Sequence, residues 1–383
     1  SIMHILISPN AFKHSLNAEE VAFAIQEGLR RSKAGVTTER FPVADGGDGT
    51  ATLIIKKCKG TLLEAAVHDA LGRPINAVFG LIDNGETAVI EMADASGIRL
   101  LKPEELMPLR ANSFGTGEMI RKALDQGVEK IIIGMGGSAT VDGGTGILRA
   151  LGARFLGADG TELTMLPEDL GGLATADLSA LDKTILNCEV IVLCDVDNML
   201  LGDQGSAAVF GPQKGASPDE VKKLDQALNK LSAVALHHTG RNMAAIKYGG
   251  TAGGAAAGLY AFLNARLVNG IDYFLSLTDF NSALERADLV IAGEGSIDEQ
   301  TLQGKGPFGV AYHAKLKGLP VVAFAGKVPL EPNINLQTYF DILMPIGNQP
   351  GDLLTALACT ADNLTRTAET LGNMLVLMQE KRC

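Results

Sequence analysis

No two cysteines in this sequence lie close enough to share a task. The five, Cys58, Cys188, Cys194, Cys359 and Cys383, are odd in number and far apart, and no CxxC pair occurs. That argues against a zinc knuckle, a redox pair or a disulfide framework, and the thiols read as reduced ones in a cytoplasmic protein. Long apolar runs are missing too. The longest, such as IIIG at 131–134 and LVIAG at 289–293, are too short to span a bilayer, so no membrane role is expected. The N-terminus lacks the charged and apolar regions of a signal peptide. Blocks of like charge are also absent, which excludes a charged disordered tail or a basic nucleic-acid arm. The 33 basic and 44 acidic residues leave a formal charge of −11. That balance repels phosphate backbones at long range, so no nucleic-acid partner is expected and a small-molecule substrate is.

Several chemistries are excluded by motif. The Gly-Lys pairs at 304–305 and 326–327 lack the preceding glycine or following hydroxyl of a P-loop, so a nucleotide site here is of another kind. The histidines show no HExxH or similar ligand spacing, and no GxSxG elbow supports a serine hydrolase.

What is present is an alternation of short β-branched runs with helical patterns, the sequence form of parallel βαβ units. HILISP (4–9) is the first strand. AEEVAFAIQEGLRR (18–31) follows as a helix capped by Asn17 with acids in its first turn. TTERFPVADGG (37–47) closes the unit. The same texture returns in ADLVIAGEG, PVVAFAG and DILMPIG. Between these blocks, LGRP (71–74) and DNGE (83–86) signal hairpins. A helix near 117–126, the strand KIIIG, a glycine loop and the strand VIVLCDV come next. The economical reading is an α/β domain from residues 1–59 and 265–383, with a second mixed α/β domain over 60–264 inserted, and loops of both facing a shared cleft. The small residues of GGTAGGAAAG (249–258) are expected to permit close helix packing.

Polar loops follow most of these strands, and their recurrence at strand carboxyl ends points to a site. In GMGGSATVDGG (134–144), Gly136, Gly137 and Ser138 are placed to form an amide nest for phosphate, with Thr140 nearby and Asp142 opening the helix; a tight turn is the alternative. The GxGxxA spacing at Gly134, Gly136 and Ala139 is a weak dinucleotide signal whose expected acid, Asp159, falls in a turn. Asp195 and Asp197 are two apart at a strand end, so both point one way while Val196 points to the core. Such a pair suits magnesium and a base for a substrate hydroxyl. Asp45 and Asp48, flanking Gly46 and Gly47, and Glu294 and Asp298 are further carboxylates. If they converge, magnesium and lysines must balance them. Lys13, Lys305 and Lys327 lie in these loops as point charges for phosphate. Arg73 is either a hairpin-turn residue or a contact to an acidic substrate.

Taken in order, FK (12–13), VADGGDGT, NSFGTGE, GMGGSATVDGG, CDVDN, GEGSIDEQT, GKGPFGVA and AGKV resemble the bacterial glycerate kinase family from the first strand to the last helix. The resemblance implies ATP-dependent phosphorylation of glycerate, magnesium as cofactor, and a flavodoxin-like domain carrying a second. In that light Lys13, Asp195 and Asp197 are the catalytic candidates, with the two aspartates as metal ligands. Gly136–Ser138, Thr140, Asp142, Glu294 and Lys327 are expected at the nucleotide. Asp45, Gly46, Gly47, Asp48, Arg73, Asp298 and Lys305 are expected at glycerate, with 2-phosphoglycerate as product. The chain departs from the family where relatives read DSFKGSL: Asn10 replaces an acid, Ala11 a serine and His14 a glycine. Ser296 replaces an arginine and Met199 a proline. A dehydrogenase using the GxGxxA loop and a non-catalytic sensor of small acids are the rival readings. A homodimer stays open.

Overall fold

The structure is a computed structural model that describes residues 2–380; Cys383 lies outside them. Its strands, in chain order, begin with β1 (His4–Ile7) and β2 (Thr37–Arg40). Then come β3 (Thr61–His68), β4 (Pro74–Ile82), β5 (Thr87–Glu91), β6 (Lys130–Gly134), β7 (Arg154–Gly157), β8 (Leu173–Asp177), β9 (Glu189–Cys194) and β10 (Arg266–Asn269). The chain closes with β11 (Leu289–Ser296), β12 (Val321–Lys327) and β13 (Ile342–Pro345). The chain folds as two compact units, Ser1–Asp45 with Ile271–Cys383, and Gly46–Gly270. Among the described residues, no helix is long and apolar enough to cross a membrane.

The first unit is a five-stranded sheet ordered β13-β12-β11-β1-β2, every neighbouring pair parallel. Counted within the unit, this is the 2-1-3-4-5 order of a flavodoxin-like sheet. Strand alternation builds one face from Ile5, Ile7, Ile291, Val322 and Phe324, all in one buried cluster with Val21, Ile25, Leu29, Leu364 and Leu371. Those partners sit on the helices Ala18–Arg31 and Thr360–Glu380, which approach so closely that a Cβ on Gly28 would lie 2.2 Å from the Thr365 carbonyl oxygen. The expected cap at Asn17 is present as a full capping box. The Asn17 side chain accepts from the Glu20 amide at 2.8 Å, and Glu20 Oε1 accepts from the Asn17 amide at 3.1 Å.

The second unit carries a six-stranded sheet, β10-β9-β6-β5-β4-β3, and a separate β7-β8 ribbon. Strands β5, β6, β9 and β10 run parallel, while β4 is antiparallel to both β3 and β5. The two hairpin signals are where the chain turns. LGRP joins β3 to β4, and DNG joins β4 to β5 with Asn84 at φ 55° and Gly85 at φ 86°. The unit's limits differ from the expected 60 and 264. The helix Thr50–Lys57 packs on β4 and β5, and β10 pairs with β9, so both segments join this sheet.

The 249–258 stretch does serve close packing. The Gly143 amide donates to the Gly253 carbonyl at 2.9 Å, and a Cβ on Gly258 would fall 1.9 Å from the Gly143 carbonyl oxygen. Gly258→Ala therefore overpacks the junction of the helix Ala255–Leu263 with the glycine loop, at a cost of about 1–3 kcal/mol. In thermal unfolding this appears as a fall of several degrees in the transition of the second unit. Gly171→Ala, where a Cβ meets nothing within 4 Å, leaves it unmoved.

Candidate functional site

In the second unit the loops after β6 and before the helix Thr50–Lys57 meet backbone to backbone. The Gly136 amide donates to the Gly46 carbonyl at 2.9 Å, and a Cβ on Gly136 would sit 2.4 Å from Gly47 Cα. Glycine is required on both sides of this contact. Gly46 adds a second demand, with φ 100° and a Cβ position 2.8 Å from the Leu193 carbonyl oxygen. The expected phosphate nest is thereby partly closed, because the Gly136 amide already has its acceptor. Gly137 remains exposed at φ 79°, and its carbonyl accepts from the Ile98 amide at 2.9 Å.

Asp142 is engaged inside the loop. It is fully buried, and its carboxylate accepts from the Ser113 amide and hydroxyl, both at 2.8 Å, and from the amides of Gly144 at 2.9 Å and Gly146 at 3.2 Å. With four donors it fixes the loop and the start of the helix Thr145–Ala150. Arg73 is likewise engaged locally. It donates to Asp69 at 2.7 Å and to Glu105, bracing the β3–β4 turn.

A residue that sequence reasoning missed sits behind this loop. Lys214, only 4% exposed, donates to Ser138 Oγ at 3.0 Å and to the Thr140 carbonyl at 2.8 Å. Burial lowers its pKa to about 8, while the charges of Asp142 and Asp195 pull it back up. Written as GPQKG, it looked like a lysine in a solvated turn, and nothing in that pattern reports its burial. Thr140 Oγ1 is buried without a partner among the described residues.

Asp195 lies one residue past the end of β9, half-buried, and Asp197 is exposed. Because β9 ends at Cys194, strand alternation stops before this pair, and Val196 is only half-buried instead of pointing into the core. Asp48 accepts from Arg99 Nε at 2.8 Å, and Arg99 also binds Asp94. Below them Glu91 is buried, its Oε2 accepting from the Ala51 amide at 2.8 Å and its Oε1 without a partner among the described residues. Burial holds the Glu91 pKa well above the ordinary carboxylate value.

The first unit gathers the other candidates. Asn10 Nδ2 donates to Asp45 Oδ2 at 3.0 Å and to Glu294 Oε1 at 3.2 Å, so one amide joins two expected site carboxylates. Beside them opens a cavity of ≈ 540 Å³ whose lining includes Lys13, Glu294, Asp298, Lys305 and Lys327. Asp298 also caps the turn Glu299–Leu302, accepting from the Gln300 amide at 2.9 Å. The candidates thus divide into two groups, one in each unit. Among the described residues, no cluster of three or more His, Cys, Asp or Glu side chains could hold a metal alone.

The model of the glycerate kinase family matches residues 5–376. The chain belongs to the glycerate kinase family. It is 42% identical over 375 residues to the glycerate kinase of Bacillus subtilis strain 168, with 98% of each chain covered. It is 39% identical over 375 residues to the glycerate 2-kinase of Escherichia coli K12, again covering 98% of each. The crystal structure of a glycerate kinase 2 candidate from Salmonella typhimurium LT2 superposes with a TM-score of 0.82 at 40% identity, covering 99% of this chain and 100% of that one. For a family member the GxGxxA spacing is a by-product of turn geometry. Asp159 caps its own turn, accepting from the Thr161 amide at 3.0 Å.

Two of the buried titratable groups, Glu91 and Lys214, give opposite pH signatures. A carboxyl whose folded pKa is raised contributes stability that is complete below its unfolded pKa of 4.5 and is lost as pH climbs. Glu91→Gln removes that loss, so the variant-minus-native melting temperature increases as pH rises above 4.5. For Lys214 the unfolded chain binds more protons between about 8 and 10.5, so the native protein gains stability with pH there. Lys214→Met forgoes that gain, and its variant-minus-native melting temperature falls across the same window. Calorimetry at stepped pH checks both signs.

Proposed function

We infer that this protein transfers the γ-phosphoryl group of ATP to the 2-hydroxyl of D-glycerate, with magnesium, giving ADP and 2-phosphoglycerate. The observation that carries this reading is the family match over residues 5–376, which spans both units and every strand-end loop described above. The name of the Escherichia coli relative, glycerate 2-kinase, supports the choice of hydroxyl.

The residues suit the assignment chemically. Phosphoryl transfer asks a protein for positioning and charge more than for covalent chemistry. Lys13, exposed in the loop after β1, supplies a positive charge for the transferring group. Asp195 and Asp197 offer hard oxygens, and magnesium is commonly held by one or two carboxylates with the rest from phosphate and water. One carboxylate of the pair therefore suits a metal that arrives with its nucleotide. When bound, magnesium would neutralise charge on the phosphate oxygens. The aspartate not holding it would orient the attacking hydroxyl and accept its proton. In the same reading the acid lodges at Gly46–Asp48 and the exposed Gly137, with Lys214 supplying positive charge from behind Ser138.

A coupled ADP-release assay tests the reading. ADP release is expected to require both glycerate and magnesium, and phosphorus NMR of the product is expected to show the 2-phosphate. At least one of Asp195→Asn and Asp197→Asn should lower kcat by about a hundredfold or more, the size of a general-base effect. Native turnover in both variants would remove these aspartates from the mechanism.

A further inference from the structure

The cavity in the first unit has an unusual wall. The helix Leu353–Ala358 has the sequence LLTALA, and Leu353, Ala356 and Leu357, at i, i+3 and i+4, form one stripe. All three line the cavity, and Leu353 is 72% exposed. A stripe of this spacing normally faces a core, and here it faces an open concavity. It is held in place from the sheet side, where Ser15 Oγ donates to the Leu357 carbonyl at 2.7 Å. Single exposed leucines need no explanation, whereas an apolar wall opposite a charged floor has the make-up of a ligand pocket.

The floor is that charged surface. Lys13 follows β1, Lys327 ends β12, and Lys305 precedes the helix Gly306–Leu316, all at the carboxyl edge of a parallel sheet. This edge lies where strand order reverses between β1 and β11, the usual ligand position in such sheets. Gly295 and Gly326 also line the cavity, so no side chain covers the backbone there. The start of the eleven-residue helix Gly306–Leu316 adds favourable potential for an anion. The volume of ≈ 540 Å³ lies within the range of roughly 300–1,000 Å³ typical of small-molecule pockets. A three-carbon acid would leave most of that space empty, and it has no apolar part to set against the leucines.

We propose that this cavity holds the nucleoside triphosphate, its base against Leu353 and Leu357 and its phosphates over Lys13, Lys305 and Lys327. The assignment rests on the kinase reading above and moves the nucleotide from the glycine loop of the second unit to the first. It also accounts for the closure of that loop by Gly46, Asp142 and Lys214.

The test uses the full-length protein and the variants Leu353→Asp and Lys327→Met, both at exposed positions that the fold tolerates, with thermal unfolding as the check. Binding is followed with trinitrophenyl-ATP fluorescence, and KM is measured separately for ATP and for glycerate. Each variant should raise the Kd for the probe and the KM for ATP by about tenfold, the size of one lost charged or apolar contact, and leave the KM for glycerate unchanged. Native probe affinity in both variants overturns the proposal. So does a rise in the KM for glycerate alone, which would give the cavity to the acid. Turnover of glycerate by the native protein, with probe binding unaffected in the variants, sinks the cavity and spares the kinase reading. Probe binding that weakens in the variants, with no ADP release on glycerate by the native protein, sinks the kinase reading and spares the cavity.

Discussion

The second unit depends on two charges that have been taken out of water and answered in place. Desolvating an ion costs several kcal/mol even after relaxation, so a buried carboxylate and a buried ammonium persist only where partners meet them. Asp142 has four donors from two loops, and Lys214 has two acceptors and lies in the field of Asp142 and Asp195. Those partners are mostly backbone groups, which dictates the composition around them. Amides can converge on a carboxylate only where the chain turns sharply, and Gly143 and Gly144, at φ 61° and 80°, make that turn. The glycine loop is rich in glycine first because it must wrap a charge and touch three neighbouring backbones.

That priority is invisible in the sequence. Glycines after a strand and before a helix are equally what an open phosphate nest and a closed structural turn require. The pattern cannot distinguish an amide presented to a ligand from one already given to Gly46. The same blindness hid Lys214, because a lysine between Gln213 and Gly215 gives no local sign of burial. Asp195 and Asp197 stand out in the sequence because acids at a strand end are conspicuous. The inference about their common direction did not transfer, because pairing stops at Cys194 and alternation is a property of paired strand.

The fold was far more legible, for reasons that are local. Asn17 and Glu20 announce a capping box by spacing alone, and the box is present. DNGE carries the residues that tolerate left-handed backbone, and Asn84 and Gly85 adopt it. Alternation in the first and last segments marks the strands that share one sheet. What remained hidden was allegiance. The helix Thr50–Lys57 reads as part of the first βαβ pattern, yet its apolar face is complementary to β4 and β5, which come later in the chain. Which sheet an amphipathic helix joins is decided by partners distant in sequence, and periodicity does not report them.

Asn10 shows how one neutral side chain sets the electrostatics of a site. Its amide donates to Asp45 and Glu294, bringing both carboxylates to one neutral donor. An acid at this position would instead add a further negative charge between them, and neighbouring carboxylates resist joint ionisation. With asparagine, Lys13, Lys305 and Lys327 face three nearby carboxylates, Asp45, Glu294 and Asp298, and the region is close to neutral. In a chain of net charge −11, neutrality over this cavity is itself a local enrichment in positive charge. The three lysines are also free of carboxylate partners among the described residues, whereas the carboxylates are held by an amide and by a helical cap. Cations without ion-pair partners on one floor stay available to an incoming anion. Such an arrangement receives phosphate without first having to break an ion pair.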